Sequence, residues 1–238
     1  MALILNIETS TTVCSVCISK DGNVQSYRES KDEKTHAKLL TVFIDEIIKE
    51  QNLKFDDLDA IAVSMGPGSY TGLRIGVSTA KGLCYAKDLP LIAVNTLQSM
   101  AKGIVTKIKN DDLNITDFEK SILVPMIDAR RMEVYSSFFD ANGETTREIK
   151  AEIIDENSYQ DILSKQQMIF FGDGSGKIEE TIKHKNAVFI SDINTSSLTM
   201  VSLSEDAFNK NEFVNVAYFE PFYLKDFVAI VSKKNIFK

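Results

Sequence analysis

Four groups of residues have types and spacings that could carry chemistry. Cys14 and Cys17 form a C-x-x-C pair, the pattern of dithiol redox sites and of half a zinc site. They fall, however, in an apolar, β-branched run. On an extended strand, residues three apart point to opposite faces about 10 Å from each other, too far for a disulfide. Two packing thiols are the favoured reading, and Cys84, in a helical pattern without a histidine neighbour, reads the same way. His36 and His184 are the only histidines. Leu40 stands where an i, i+4 metal clamp on the His36 helix would need a second imidazole. No G-x-S-x-G elbow precedes a helix, so a hydrolase nucleophile has no support. No catalytic residue, metal ligand or cofactor is expected.

The third group is glycine-rich. Gly66-Pro67-Gly68-Ser69 follows an apolar run and precedes a helical pattern, where backbone N–H groups can hold a phosphate. Gly66, Gly68 and Ser69 are therefore the phosphate-loop candidates. The string lacks the Lys-Ser/Thr ending of a Walker loop and the spacing of a dinucleotide fingerprint, and a tight turn alone would account for its glycines. Gly172-Asp173-Gly174-Ser175 reads alike. The fourth group is Glu8-Thr9-Ser10, an acid and hydroxyls able to orient a metal-bound water or phosphate. Its counterpart, Asp128-Ala129-Arg130-Arg131, has no glycine for close backbone approach, so a turn-capping role is at least as well supported.

The elements that must position these groups follow from periodicity. Leu3–Thr9, Thr12–Ser19 and Val24–Glu29 read as an antiparallel start turned at Asp21-Gly22. From Thr35 to Gln51 the spacing predicts a helix with a broad apolar face. A strand over Ala60–Ser64, a helix over Thr71–Ala86, a strand over Leu91–Val94 and a helix over Thr96–Lys109 imply parallel crossovers. After the polar stretch 110–120, the order repeats with strands at Ile122–Asp128, Met132–Phe139 and Thr145–Ile154. A helix near Ser158–Ser164 and a strand at Met168–Phe171 follow, then Gly172-Asp173-Gly174-Ser175 opening a helix. Leu5–Glu8 matches Pro125–Asp128, and Gly66-x-Gly68-Ser69 matches Gly172-x-Gly174-Ser175. The expected fold is an α/β internal duplication, a two-lobe actin-like (ASKHA, ribonuclease H-like) plan, with lobes at 1–110 and 111–238.

Gly72, Gly76 and Ala80 recur every four residues on one face of the second helix, and each glycine costs about 1 kcal/mol relative to alanine. Packing on the chain's own sheet and close approach of another helix explain this equally well. With the over-apolar first helix, the pattern points to a protein–protein surface.

Of 238 residues, 44% are hydrophobic and 26% charged, ordinary globular usage. The net charge of −7 and pI near 5.0 argue against this chain being the main holder of a polyanion. Lys233, Lys234 and Lys238 read as a solvated basic end. An odd cysteine count, no basic leader and no membrane-length apolar run make the cytoplasm the expected location, with no membrane contact.

Taken together, Leu5-Asn6-Ile7-Glu8-Thr9-Ser10, the string from Val63 to Gly76 containing Gly-Pro-Gly-Ser-x-Thr-Gly-Leu-Arg, and Ala80-Lys81-Gly82-Leu83 are similar to the bacterial TsaB family. So are Ile127-Asp128-Ala129-Arg130-Arg131, Val134-Tyr135 and Pro221-Phe222-Tyr223-Leu224-Lys225. Glu8 departs from the aspartate common in that family. The resemblance implies a non-catalytic subunit that binds its paralogue TsaD, joined by the ATPase TsaE. That assembly transfers threonylcarbamoyl to N6 of an adenosine in tRNA, with tRNA held only through the complex. In isolation the subunit would be a monomer or a homodimer formed through the same face. Carried onto this chain, the implied partner interface is His36, Leu39, Leu40, Phe43, Leu73, Arg74 and Val77, and Val77→Arg is expected to spare the fold. The rival reading is an ATP-dependent phosphotransferase of the actin-like superfamily acting on a small metabolite.

Overall fold

The computed structural model describes residues 2–32 and 35–224. Lys225 and the basic end at Lys233, Lys234 and Lys238 lie outside the described residues. Turn chemistry starts the first sheet. β1 (Leu3–Glu8) pairs antiparallel with β2 (Cys14–Lys20), from Leu3↔Lys20 to Glu8↔Ser15. Asp21 and Gly22, both with positive φ (50° and 73°), then reverse the chain into β3 (Asn23–Ser30), as a tight hairpin requires.

β4 (Ala60–Gly66) and β5 (Leu91–Asn95) add in parallel on the other side of β1, giving the order β3-β2-β1-β4-β5. Parallel strands need crossovers, and these are α1 (His36–Glu50) and α2 (Tyr70–Lys87). α1 buries Leu40, Ile44, Ile47 and Ile48, one helical stripe; α2 sends Val77, Ala80 and Cys84 into the same core, with Leu5, Ile7, Val16, Ile18, Ile61 and Val63 beneath them. Each fully buried aliphatic side chain contributes about 1.5–3 kcal/mol.

The second sheet repeats the plan. β6 (Ile122–Asp128), β7 (Glu133–Phe139) and β8 (Thr145–Ile153) run antiparallel, while β9 (Met168–Phe171) and β10 (Ala187–Ile190) pair in parallel beyond β6. The order β10-β9-β6-β7-β8 is the first sheet's order, strand for strand. Between β8 and β9 lies one helical turn, α4 (Gln160–Leu163), shorter than the expected helix. The helix expected after Gly172-Asp173-Gly174-Ser175 is a single 3-10 turn, Gly176–Ile178.

The polar stretch after residue 109 separates the sheets in chain order, but packing crosses it in both directions. α3 (Thr96–Lys109) buries Leu97, Met100, Ala101, Ile104 and Val105 against Leu123, Ile127, Phe139, Ile169 and Phe171 of the second sheet. α5 (Ser197–Asn209) returns Met200 to Ile4, Ala60, Ala62, Ile92 and Val94 of the first. The chain then stays on the first sheet, with Val214 N bonded to Leu91 O at 2.9 Å and Phe222 N to Met65 O at 2.7 Å. Among the described residues no helix is long and apolar enough to cross a membrane.

Candidate docking face and the closed strand ends

The carboxyl ends of the parallel strands, where this class of sheet places its ligands, are filled by the chain's own backbone. Glu8 ends β1 and is fully buried; its Oε1 accepts from Ser10 N at 2.6 Å. Burial pushes its carboxyl above the ordinary 4.5, and the bonds from Ser10, Ser64 and Thr9 only partly offset this. Thr9 Oγ1 donates to Gly72 O at 2.9 Å. A Cβ added at Gly72 would run into Thr9 O, and one at Gly76 into Thr9 Oγ1. The face made by Gly72, Gly76 and Ala80 therefore packs on its own sheet, which decides between the two readings of that pattern.

The phosphate-loop candidates are engaged in the same way. Ser69 N donates to Ser10 O at 2.6 Å, and a Cβ on Gly68 would clash with Ser10 O. Ser69 Oγ accepts from Gly72 N at 3.3 Å, the N-cap bond of α2. Gly66, at φ 107°, lets the chain turn beside Phe222 O. Two donors that could cradle a phosphate, Ser69 N and Gly72 N, are thus spent on turn and cap. In the second lobe Gly174 N donates to Met126 O at 3.0 Å, and Asp128 Oδ1 is held by Lys177 Nζ at 2.5 Å.

The thiols lie apart on the two faces of β2. Cys14 joins the α1–α2 core, while Cys17 Sγ lies 3.4 Å from Ser197 O on the α5 side. Burial pushes the Cys14 thiol up to about 11 and those of Cys17 and Cys84 up to about 12. His36 is buried with Nε2 3.2 Å from Val13 O, and His184 Nδ1 accepts from Asn186 N. Among the described residues no three His, Cys, Asp or Glu side chains converge as a metal would require.

The residues expected at a partner interface divide by burial. Leu40, Leu73 and Val77 are 1%, 0% and 4% exposed, and His36 is buried, so these four side chains face the chain's own interior. Val77→Arg would place a charge in the core, contrary to expectation. Leu39 and Phe43 are half-buried and Arg74 is exposed, its guanidinium 5.3 Å from the Tyr70 ring. Between α1 and α2 runs a groove of about 470 Å³, lined by Ala37, Tyr70, Thr71, Arg74, Ile75, Ser78 and Thr79. The ring of Tyr223 lies 4.9 Å from that of Tyr70, one of the lining residues.

Sequence reasoning missed the outward stripe of α2. Ser78, Gly82 and Ala86 follow at four-residue intervals, all exposed, with Tyr85 88% exposed beside them. Among the described residues a Cβ at Gly82 would meet nothing within 4 Å. Unlike Gly72 and Gly76, Gly82 has no partner among the described residues to account for its helix cost. The signal was present as a second four-residue register on the same helix, hidden behind the first.

The family model for TsaD, tRNA N6-adenosine threonylcarbamoyltransferase, matches residues 29–235. The chain is 31% identical over 239 residues to the tRNA threonylcarbamoyladenosine biosynthesis protein TsaB of Escherichia coli (strain K12), covering 95% of this chain and 96% of that protein. It is 38% identical over 109 residues to the tRNA N6-adenosine threonylcarbamoyltransferase of Bacillus thuringiensis (strain Al Hakam), covering 39% of this chain and 32% of that one. Among solved structures, an uncharacterized Pseudomonas aeruginosa protein with similarity to peptidase YeaZ superposes with a TM-score of 0.80 at 24% identity. The match covers 94% of this chain and 100% of that one, and is a likeness of fold.

Proposed function

This chain belongs to the TsaB family of tRNA threonylcarbamoyladenosine biosynthesis proteins, and from that premise we propose that it serves there as a non-catalytic subunit, docking its TsaD paralogue through α1 and α2. Gly82 carries the reading. An exposed glycine in mid-helix, with open space where its side chain would be, costs the free chain about 1 kcal/mol and is repaid where another helix packs closely. Beside it the groove offers Ile75 and Ala37 as apolar contacts and Arg74 and Tyr70 as a stacked cationic and aromatic pair, residue types favoured at interface centres. A specific complex would bury about 1,600 Å² in total. Docking stabilises the paralogue's active conformation; TsaE joins the assembly, and tRNA is held through it in the cytoplasm.

The closed strand ends support the non-catalytic part. Ser69 N and Gly174 N, which a nucleotide's phosphates would need, already hold backbone carbonyls, and Glu8 is sealed from solvent. A phosphotransferase would need those groups free. Titrating the isolated chain with ATP and magnesium is expected to give no tight heat of binding; tight, magnesium-dependent binding would favour the phosphotransferase. Ser78→Arg, on an exposed position, is expected to leave the fold intact and abolish co-purification with the paralogue. Retained co-purification would remove α2 from the interface.

A further inference from the structure

A second opening lies away from the α1–α2 groove. It is a cavity of about 500 Å³, within the size range of small-ligand pockets. Val24 and Tyr27 of β3 form one wall, Met100 and Gly103 of α3 another, and Leu198 and Val201 of α5 the third. Glu8, Gly66, Gly68, Asp128 and Gly172 take no part in it, so it is separate from the strand ends where an actin-like lobe pair would hold a nucleotide.

The cavity is preformed. Ser99 Oγ and Thr199 Oγ1 lie 2.7 Å apart, and a Cβ at Gly103 would come within 2.6 Å of Thr199 Cγ2, so the Thr199 side chain of α5 packs directly on the Gly103 backbone of α3. Tyr27 is held by its bond to Glu29 and lies 3.3 Å from Ser196 Oγ. At the mouth of the cavity Val24 and Leu198, 45% and 39% exposed, present apolar surface, while Thr106, Asn194, Thr195 and Ser202 add uncharged polar groups to the lining. The charged residues around it, Lys31 and Lys107 against Glu29 and Asp192, cancel in formal charge and select for neither sign.

We propose that this cavity binds an uncharged, largely apolar small molecule, and that the occupant ties the two halves of the chain together. The second clause follows from the walls. Met100 belongs to the second sheet's core, whereas α5 packs on the first sheet and Val24 belongs to it. A molecule touching all three walls binds only where both cores are in place, so it raises the temperature at which they separate.

The test uses N-phenylnaphthylamine, an uncharged dye that brightens in apolar surroundings, titrated into the full chain beside its sulfonated relative, anilinonaphthalene sulfonate. One-to-one saturable binding of the uncharged dye is expected, together with a dye-dependent rise in Tm. Leu198→Trp plugs the mouth and should weaken binding by at least about tenfold; Val24→Trp plugs it from the strand side and serves if the first variant folds poorly. Ser78→Arg, on the other groove, should bind the dye as the parent does. The proposal is overturned by non-saturable binding, by undiminished binding to both plugged variants, or by tighter binding of the sulfonated dye. None of these outcomes depends on the paralogue, so failure here leaves the docking assignment untouched.

Discussion

Replacing Gly82 by alanine should stabilise the free chain, the reverse of what a glycine demanded by its own fold would show. The added methyl meets no heavy atom of the described residues within 4 Å, and Gly82 is not among the glycines with positive φ. Alanine is favoured over glycine in a helix interior by about 1 kcal/mol, partly because the unfolded chain loses conformational freedom. For a chain of this size that corresponds to a Tm rise of about 2–4 °C in scanning calorimetry. The same position lies on the outward stripe proposed to receive the paralogue. A long side chain there, as in Gly82→Arg, points to solvent in the free chain but holds a docking helix off. A loss of about 100-fold in affinity, near 2.8 kcal/mol, is expected by titration calorimetry with the purified paralogue. A lowered Tm for Gly82→Ala would mean that the glycine is needed within the chain. Parental affinity for Gly82→Arg would mean that the stripe is not the contact.

Gly76→Ala, on the same helix, should act oppositely and destabilise by about 1–3 kcal/mol, because its Cβ would fall on Thr9 Oγ1; denaturant midpoints above the parent's would contradict this. Glu8 has a folded pKa raised above 4.5 by burial, so the folded state holds the proton longer than the unfolded chain. The stability it contributes is complete below 4.5 and is lost as pH rises through the raised value. Urea midpoints of the parent should therefore fall more steeply than those of Glu8→Gln as pH rises above about 4.5, and parallel slopes would remove the assignment. The buried thiols at about 11 and 12 should resist an aromatic disulfide reagent in the native chain and all three react once it is unfolded. Rapid labelling of any one would show an opening that the structure lacks.

The duplicated sheet plan was legible because each lobe announces itself with a hairpin whose turn residues and alternating strands are local features. Thr96–Lys109 and Met168–Phe171 match the observed elements to the residue. α5 was not legible for a physical reason. Its buried face carries serines rather than a clean apolar stripe: Ser204 Oγ donates to Asn6 Oδ1 at 2.7 Å and Ser197 N to Ser15 Oγ at 2.9 Å. Those bonds fix where α5 sits on the first sheet, yet serines at buried positions give no apolar periodicity by which to place the helix. An excess of apolar residues on α1 and α2 is what pointed to these helices as a docking face, but the sequence could not tell which of those residues went inward. Leu40, Leu73 and Val77 were assigned outward when the core needed them, while Ser78 and Gly82 were passed over because small residues carry no hydrophobic signal.

The most direct measurement is the mass, by light scattering, of this chain mixed with its host's TsaD paralogue, carried out beside the Ser78→Arg and Gly82→Arg variants. The account predicts a discrete heteromeric complex for the parent and separate components for both variants, each still folded by circular dichroism. Separate components for the parent, or an undiminished complex with both variants, would contradict it.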